Sequence, residues 1–475
     1  MTAHAPGAAD PAALDPGAPG PGAPDPDAPD PLDLDEYVPG TSVALTDDER
    51  WPTLTPEGRD RLLRLRDHPA APAWVHRTGD RLTAEGVERS RTPLPLAGWL
   101  DEHLATARRL PAYRRSDLPL DRLDQWPFTT RDDLVDDVSA FVPLDADLDL
   151  MVQGSSSGST GRALLIPDHV EEVARTFHLY VSLVRDLGVD WRPDPDRMAL
   201  AHVVHQRQAF TYASVLSGFG QATTARVNLH PGQWGAPGRR AAFFADQRPQ
   251  VVSGSPTSLA ELLQPDLAGL LRPLALFSGA TALSAPLRAD LEAAFDCPVI
   301  DVYGLHETRP IAVSSDGGPH VVLDRRLVVE VVDPAGAAVA PGERGEIVVT
   351  AGENPLLPLV RYRTGDFARL VDVDGRPALA DLEGRDPTVF AHGDGSLVPC
   401  IDLTQHLQAA RCRGWSVHQD RRGAVRAVVV GGDAEMVRSR LGAMLGRLVD
   451  VRRVPTLLDL GEGKPRRYVS EATAS

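Results

Sequence analysis

Residues 274–308 read LALFSGATALSAPLRADLEAAFDCPVIDVYGLHET. The apolar runs at 274–278 and 299–303 are typical of buried strands, and the stretch at 285–295 between them has helical spacing. A strand, a helix and a second strand in this order are typical of neighbouring parallel strands joined by a crossover helix. This stretch therefore predicts an α/β fold with a largely parallel sheet.

The same alternation continues towards the N-terminus. The predicted strands there lie at 164–167, 198–204 and 251–254, and the predicted helices lie at 171–187 and 258–263. Shorter helical patterns occupy the region from residue 45 to about residue 104.

The pattern changes towards the C-terminus. Strand-like runs with turn residues between them predict a small β subdomain at 327–332, 345–349 and 367–371. After residue 384 the predicted elements are a hairpin at 416–419 and 425–430, a helix at 434–448 capped by Asp433, and a strand at 451–457.

Composition divides the chain into three parts. Residues 1–40 contain ten prolines, eight acids and no lysine or arginine, so we expect a disordered tail. We expect a large multi-layer N-terminal domain at 41–383, with parallel sheets and the small β subdomain. A small, mobile α+β C-terminal domain is expected at 384–475. The predicted fold class is α/β.

Charge and cysteine content exclude several classes of protein. The net charge is −17 and the pI is about 5.3, so nucleic acid is not expected as a partner. Cys297, Cys400 and Cys412 are odd in number and far apart, which predicts neither a disulfide framework nor a zinc site. Because no run approaches the ~18–20 apolar residues of a membrane span and no signal segment is evident, we expect a cytoplasmic protein without a membrane partner.

Lysine is nearly absent from the sequence. Lysine and arginine together number 49, and Lys464 is the single lysine. A slender ammonium group and a planar guanidinium group are not interchangeable in a tight phosphate or carboxylate site. Lys464 is therefore either a chance survivor of a drift towards arginine or a residue retained for its chemistry.

A loop rich in glycine and hydroxyl side chains spans residues 154–162, with the sequence GSSSGSTGR. Glycines allow backbone N–H groups to converge on one anion, and small hydroxyl groups add donors, so such a loop suits phosphate. It lacks the Gly-Lys-Ser/Thr ending of the Walker A motif, which disfavours a kinase or ATPase of that type. A Ser/Gly run is also typical of a flexible linker, so the loop alone leaves both interpretations open.

Further motifs follow this loop along the chain. They are VYGLHET at 302–308, RYRTGD at 361–366, the pair Gly384-Arg385, and GEGKPRR at 461–467. Taken singly, Tyr303 suits a core aromatic, Asp366 a turn and Glu307 a solvated acid. In this order and spacing the set resembles the adenylate-forming superfamily of acyl-CoA ligases, peptide-synthetase adenylation domains and luciferases.

One branch of that superfamily is similar over most of the chain. Segments similar to the phenylacetate–CoA ligase and coenzyme F390 synthetase branch lie at 110–115, 126–134, 252–257 and 277–280. The resemblance spans roughly residues 100 to 470. It implies a large adenylation domain followed by a small domain that carries a catalytic lysine.

The resemblance implies a role for each motif. Tyr303 would flank adenine, Asp366 would accept the ribose hydroxyls, and Glu307 would help to bind Mg²⁺. Lys464 would contact the carboxylate and the α-phosphate in the transition state. The residues implied to bind ATP or AMP are Ser156, Ser157, Gly158, Ser159, Thr160, Gly161, Gly279, Ala280, Tyr303, Gly304, Asp366 and Arg385.

Some positions depart from the pattern of the family. Arg162 follows the phosphate loop where the family has lysine, and His306 replaces a small residue before Glu307. The branch's acidic residue after Gly279 is missing. Pro387 occupies the position of a hinge residue, where it would either stiffen domain rotation or serve as a harmless turn residue.

The resemblance implies the reaction. With ATP and Mg²⁺, a small carboxylic acid, expected to be aromatic, would become an acyl-AMP with release of pyrophosphate. The acyl group would then pass to CoA or another thiol, such as that of a carrier protein. An amine acceptor and a non-catalytic nucleotide-binding relative remain alternatives. Phe210, Tyr212 and His306 are the candidate residues of the acid pocket.

Overall fold

The computed structural model describes residues 45–114, 118–156, 164–207, 209–384, 388–461 and 465–472. The α-helices of these ranges are α1 Asp47–Arg50, α2 Pro56–Arg66, α3 Ala84–Arg91, α4 Trp99–Ala107, α5 Arg131–Asp137, α6 Val170–Asp186, α7 Arg239–Gln247, α8 Pro256–Glu261, α9 Pro265–Ala268, α10 Ala285–Phe295, α11 Cys400–Ala409 and α12 Ala434–Leu445. The strands are β1 Met151–Ser156, β2 Leu164–His169, β3 Leu200–Val204, β4 Tyr212–Leu216, β5 Ala222–Asn228, β6 Val251–Gly254, β7 Ala275–Ser278, β8 Val299–Leu305, β9 Arg309–Ser314, β10 His320–Val322, β11 Leu327–Val332, β12 Arg344–Ala351, β13 Leu359–Val373, β14 Arg376–Gly384, β15 Val389–Ala391, β16 Leu397–Pro399, β17 Cys412–Gln419, β18 Val425–Gly431, β19 Val449–Val454 and β20 Tyr468–Ser470.

One large mixed sheet organises most of the described residues. Its strand order is β11-β12-β13-β14-β10-β9-β8-β7-β6-β3-β5-β4. Strands β8, β7, β6, β3 and β5 are parallel to one another, whereas β9 to β14 pair antiparallel. The predicted α/β fold is confirmed, and the strands of the predicted β subdomain form the antiparallel half of this sheet.

Helices cover both faces of the parallel strands. On one face, Val184 of α6 belongs to an apolar cluster with Val251, Ala275 and Ile300 of the sheet. On the other face, sheet residues such as Ala201 cluster with Phe243 of α7, Leu259 of α8 and Leu287 of α10. This double coverage explains why the central strands read as nearly continuous apolar runs.

A second sheet lies near the C-terminus, with the order β19-β18-β17-β20. The predicted hairpin is confirmed, because β17 and β18 pair antiparallel from Cys412↔Gly431 to Gln419↔Val425. Helices α11 and α12 pack on this sheet through an apolar cluster that contains Leu403, Trp415 and Leu441. Residues 388–472 are called the C-terminal unit below.

The C-terminal unit contacts the remainder of the chain through polar and apolar groups. Arg413 Nε lies 2.5 Å from Asp290 Oδ2, and Ser284 Oγ donates to the Arg413 carbonyl at 2.6 Å. Arg467 Nη2 donates to the Ala282 carbonyl at 2.5 Å. The apolar part is formed by Val430, Val454 and Leu457, which join the cluster that contains Leu259 and Leu287.

Several elements differ from the sequence-based expectation. Strands β4 and β5 were not predicted, and β2 pairs with β1 in a separate two-stranded antiparallel sheet. Helix α12 begins after the predicted cap Asp433 but ends at Leu445 rather than at residue 448. Gly446 has a φ of 58°, a left-handed conformation that ends helices, which accounts for the earlier end.

A buried histidine makes the stability of this fold sensitive to acid. His103 of α4 is 8% exposed and its Nε2 lies 2.9 Å from the Leu359 carbonyl oxygen. Burial lowers the pKa of His103 to about 4, against about 6.5 for an unfolded histidine. Because the unfolded chain binds this proton first, its contribution is complete above about pH 6.5 and is lost as the pH falls towards 4, by about 3 kcal/mol at most.

We therefore expect His103→Gln to flatten the dependence of the unfolding free energy on pH between 6.5 and 4. Denaturant titrations at several pH values would measure it. His418→Gln, which removes a histidine whose side chain is 44% exposed, is the matched control, so that the two variants compare a buried with an exposed imidazole. An unaltered slope in His103→Gln would contradict the assignment.

Candidate functional site

Two of the predicted nucleotide residues meet across the large sheet. Tyr303 lies on β8 and Asp366 on β13, and the Tyr303 hydroxyl donates to Asp366 Oδ2 at 3.0 Å. Burial, followed by the charge of Asp366, raises the pKa of Tyr303 well above its usual value, so the phenol stays neutral and remains a donor. The backbone N–H of Asp366 donates to Thr364 Oγ1, which helps to orient this turn within β13.

Glu307 is held by a cation and a hydroxyl group. Its side chain is 7% exposed, and Oε1 accepts hydrogen bonds from Arg131 Nη1 and from the Tyr362 hydroxyl, both at 3.2 Å. Burial, followed by the charge of Glu307, raises the pKa of Tyr362, so this hydroxyl also stays protonated. The arrangement gives Glu307 a defined orientation, with a positive charge beside it.

A short extended segment brings Arg131 to this position. The Thr129 N–H donates to the Arg361 carbonyl, and the Arg363 N–H donates to the Thr129 carbonyl, so the segment pairs with β13. The Thr129 hydroxyl bonds to the Val360 carbonyl at 2.9 Å. Thr130 then caps α5, whose first residue is Arg131.

Three of the predicted nucleotide-binding residues, Gly279, Ala280 and Gly304, lie where the backbone is tightly constrained. Gly279 follows β7, and its N–H donates to the Gly254 carbonyl at 3.1 Å. Ala280 has a φ of 67°, an uncommon left-handed conformation for a residue with a Cβ atom. At Gly304 an added Cβ would lie 2.5 Å from the Arg309 carbonyl oxygen, so the close approach of β8 and β9 requires glycine.

Several predicted residues lie outside the described ranges. These are Ser157, Gly158, Ser159, Thr160, Gly161 and Arg162 of the phosphate loop, Arg385 and Pro387 after β14, and Lys464. The backbone of Ser156 ends strand β1, which pairs antiparallel with β2 directly across the loop. The residues on either side of this segment, Ser156 and Leu164, are paired with each other.

His306 lies next to a largely buried group of ion pairs beside this hairpin. His306 Nε2 is 3.4 Å from Asp168 Oδ2 at the end of β2. Arg309 Nη2 is 2.5 Å from Asp168 Oδ1, in an ion pair whose angle lies outside hydrogen-bond geometry, and Arg309 Nε is 3.1 Å from Glu172 Oε2. Burial opposes the charge of Arg309, yet Glu172 and Asp168 together raise its pKa above the usual value. The cluster therefore holds β2, α6 and β9 together.

The two predicted aromatic pocket residues lie together at the β4 edge of the large sheet. The rings of Phe210 and Tyr212 have centroids 5.9 Å apart, and His76 stacks on Phe210 at 4.3 Å. The Arg226 guanidinium lies 5.6 Å from the Phe210 ring centroid. Burial raises the pKa of the Tyr212 hydroxyl, which therefore stays protonated.

Sequence reasoning missed three basic or aromatic neighbours of the site. Arg131 and Tyr362 contact Glu307, and Arg467 reaches the loop after Gly279 through Ala282. Arg467 also stacks on Trp415, with 4.7 Å between the guanidinium and the ring centroid. The sequence signal for Tyr362 and Arg467 was their place within the RYRTGD and GEGKPRR motifs. Arginine is so common in this chain that its presence in a motif does not indicate a functional residue.

The described ranges contain no group of three or more His, Cys, Asp or Glu side chains arranged to hold a metal ion. Magnesium that accompanies a nucleotide commonly uses one or two carboxylates together with phosphate oxygens, and Glu307 fits that lesser demand. Among the described helices, none has the length and apolarity needed to cross a bilayer.

Comparison with known proteins gives a consistent set of relatives. A sequence profile described as AMP-binding enzyme matches residues 123–354. Phenylacetate-coenzyme A ligase of Pseudomonas putida is 25% identical over 329 residues, which cover 66% of this chain and 72% of that protein. The Escherichia coli enzyme of the same name is 25% identical over 269 residues, which cover 53% of this chain and 58% of that protein.

The fold has a counterpart among solved structures. A crystal structure of 2-hydroxyisobutyryl-CoA ligase in the postadenylation state aligns with a TM-score of 0.59 over 83% of this chain and 95% of that chain. The sequence identity is 16%, so this likeness concerns the fold alone. The profile match and the sequence relatives, together with the motifs, indicate that this chain is similar to the AMP-binding, adenylate-forming ligases, in particular to the phenylacetate–CoA ligases.

Proposed function

We propose that the chain activates a small carboxylic acid with Mg·ATP and then transfers the acyl group to CoA. In the first step a carboxylate oxygen attacks the α-phosphate, and pyrophosphate leaves. In the second step the thiol sulfur attacks the acyl carbon, and AMP leaves. Adenylation makes the acyl carbon electrophilic because AMP is a good leaving group.

The contact between Tyr303 and Asp366 is the observation that carries this proposal. A neutral phenol beside a carboxylate offers an aromatic wall for adenine and two acceptor oxygens for the ribose hydroxyls. Glu307, three residues after Gly304, is proposed to contact the magnesium that accompanies the phosphates. The hydroxyl-rich loop at 156–161 is proposed to bind the β- and γ-phosphates.

The small C-terminal domain is proposed to supply the catalytic lysine. We propose the division at 41–383 and 384–475, with Arg385 at the junction and Lys464 acting on the α-phosphate. The contacts of Arg467 with Ala282 and Trp415 support this, because they tie the segment after Lys464 to the loop after Gly279. A separate prediction concerns Pro387. If the hinge between the two domains depends on φ at this position, proline would restrict domain rotation between the two half-reactions.

The acid is proposed to be aromatic and the acceptor to be CoA. Phenylacetate-coenzyme A ligases are relatives at 25% identity, and Phe210 and Tyr212 supply aromatic walls. A carrier-protein thiol or an amine would use the same acyl-AMP. The proposal is tested by supplying ATP and a panel of carboxylic acids, with and without CoA. The nucleotide product is then identified. ADP instead of AMP as the product would overturn it.

We expect Asp366→Asn to weaken ATP binding by about 10- to 100-fold, the scale of a hydrogen bond to a charged group. The amide replaces one acceptor oxygen by a donor, which cannot pair with a ribose hydroxyl in the same way. The KM for ATP in pyrophosphate exchange measures this. Asp381→Asn, on the neighbouring strand β14 and paired with Arg369 at the surface, is the control. Equal values for both variants would count against a ribose contact at Asp366.

A further inference from the structure

A short loop joins strand β7 to helix α10 beside the proposed nucleotide residues. This β7–α10 loop spans residues 279–284 and begins with Gly279 and Ala280, both of which are proposed to bind the nucleotide. An added Cβ on Gly279 would lie 3.4 Å from the carbonyl oxygen of Val302, which precedes Tyr303 on β8. The start of the loop therefore lies next to the strand that carries the proposed adenine wall.

The β7–α10 loop begins with a strained turn. Ala280 has a φ of 67°, and the Thr281 N–H donates to the Gly279 carbonyl at 2.8 Å across it. Turns closed over three residues with a positive φ at the centre are rare. A residue with a Cβ atom keeps such a conformation only where its surroundings hold it in place. The contacts of the following loop residues therefore help to determine the shape of the nucleotide site.

The C-terminal unit makes two of these contacts. Arg467 Nη2 donates to the Ala282 carbonyl at 2.5 Å, and Ser284 Oγ donates to the Arg413 carbonyl at 2.6 Å. A hydrogen bond from a guanidinium group is charge-assisted and stronger than one between neutral groups. The C-terminal unit thus holds the middle of the loop and its end, and the stronger of the two bonds comes from Arg467.

Arg467 has a fixed position within the C-terminal unit. Its guanidinium lies 4.7 Å from the centroid of the Trp415 ring, and its backbone carbonyl accepts the Val417 N–H at 2.7 Å. Trp415 is 1% exposed, and its Nε1–H donates to the Tyr468 hydroxyl at 2.8 Å. Because the guanidinium is planar and already stacked, it loses little freedom when it binds the loop.

Two carboxylates of the large sheet interact electrostatically with the same arginine. Burial lowers the pKa of Arg467, and Tyr468, Asp301 of β8 and Glu383 of β14 oppose this shift. Opposite charges at short range attract one another strongly where water is largely excluded. Asp301 and Glu383 therefore favour the position in which Arg467 reaches from the C-terminal unit to the β7–α10 loop.

We propose that Arg467 is a positioning residue, which holds the β7–α10 loop in its nucleotide-binding conformation through the Ala282 carbonyl. This rests on the proposed function and deepens it, because the C-terminal unit then strengthens ATP binding in addition to supplying a catalytic group. The coupling acts in both directions, so that bound ATP favours the docked position of the C-terminal unit. Arg467 acts through the backbone of the loop rather than by contact with the nucleotide.

The test measures the dissociation constant of Mg·ATP for the full chain by titration calorimetry, without a carboxylic acid. We expect Arg467→Met, which removes the donor and the charge, to raise this constant by about 10-fold or more, the scale of a hydrogen bond to a charged group. Arg467→Lys keeps the charge and should give an intermediate value. The KM for ATP in pyrophosphate exchange should rise in parallel. Lys464→Ala, in contrast, should lower the rate and leave ATP binding measurable.

Asp290→Asn is the matched control. Asp290 Oδ2 lies 2.5 Å from Arg413 Nε, so this variant removes a contact between the same two parts of the chain without touching the β7–α10 loop. Since a partly exposed ion pair contributes little, ATP binding should stay within about 2-fold of wild type. An equal loss of ATP binding in Asp290→Asn and Arg467→Met would overturn the inference.

Melting curves establish which variants are folded. Wild-type ATP binding by folded Arg467→Met would overturn the inference, and if that variant does not fold, wild-type binding by Arg467→Lys would overturn it. ATP binding without AMP formation from any acid would overturn the proposed function, while the dissociation constants would still decide the role of Arg467. A wild-type chain that binds no ATP would overturn both.

Discussion

Replacing Lys464 with alanine, or with arginine, is expected to lower the rate of acyl-AMP formation by about 10²-fold or more. The proposed role of this lysine is to stabilise negative charge that develops between the carboxylate and the α-phosphate, so its loss affects the transition state more than the bound substrate. Arginine has a broader, planar head group and cannot replace a point charge on a slender stem. Pyrophosphate exchange measures the rate, and equilibrium ATP binding should remain measurable.

Arg466→Ala provides a matched control for Lys464. Arg466 is exposed two residues further along the same segment, and its backbone carbonyl accepts a hydrogen bond from the Ser416 hydroxyl. Its removal is expected to leave the exchange rate within a few-fold of wild type. Near-normal exchange by Lys464→Arg would refute the argument drawn from the lone lysine.

The second large effect is expected on stability, from Arg309→Met. Arg309 joins Asp168 and Glu172, whose side chains are 4% and 1% exposed, and its removal leaves two buried carboxyl groups without their cation. Breaking a buried ion pair in this way costs about 3–5 kcal/mol of unfolding free energy. Urea denaturation followed by circular dichroism would measure it.

A surface pair supplies the comparison for Arg309. Arg192 and Asp190 have side chains 80% and 70% exposed, so Arg192→Met should cost no more than about 1 kcal/mol. Adding Glu172→Gln to Arg309→Met should recover part of the loss, because it removes one unpaired acid. Equal losses of unfolding free energy in Arg309→Met and Arg192→Met would show that the buried ion pairs of Arg309 do not contribute more to stability than an exposed pair does.

Helices and strands with a strong apolar periodicity could be predicted from the sequence. Strands whose conformation depends on pairing with neighbouring strands could not. Helix α6 and strands β8 and β11 agree with the predicted segments because their apolar spacing is strong. Strand β5 has the sequence ATTARVN, whose small and polar residues carry little periodicity. Its strand conformation depends on pairing with β3 on one side and β4 on the other, which is tertiary information.

The motif residues of the candidate site could be predicted from the sequence, but the side chains that contact them could not. Tyr303, Glu307 and Asp366 were singled out by motif order, and the contact between Tyr303 and Asp366 joins residues that are far apart in sequence. Their assigned roles remain predictions. Arg131 and Arg226 could not be distinguished among so many arginines, because a charge becomes informative only when its burial and neighbours are known.

The apolar contact between the C-terminal unit and the remainder of the chain has a calorimetric consequence. Val430, Val454 and Leu457 share a cluster with Leu259 and Leu287, so any rotation that separates them transfers apolar surface to water. Hydration of apolar surface raises heat capacity. Titration calorimetry over a range of temperatures would therefore report domain opening as a positive increment in the heat-capacity change of ligand binding, a signal that does not depend on catalysis.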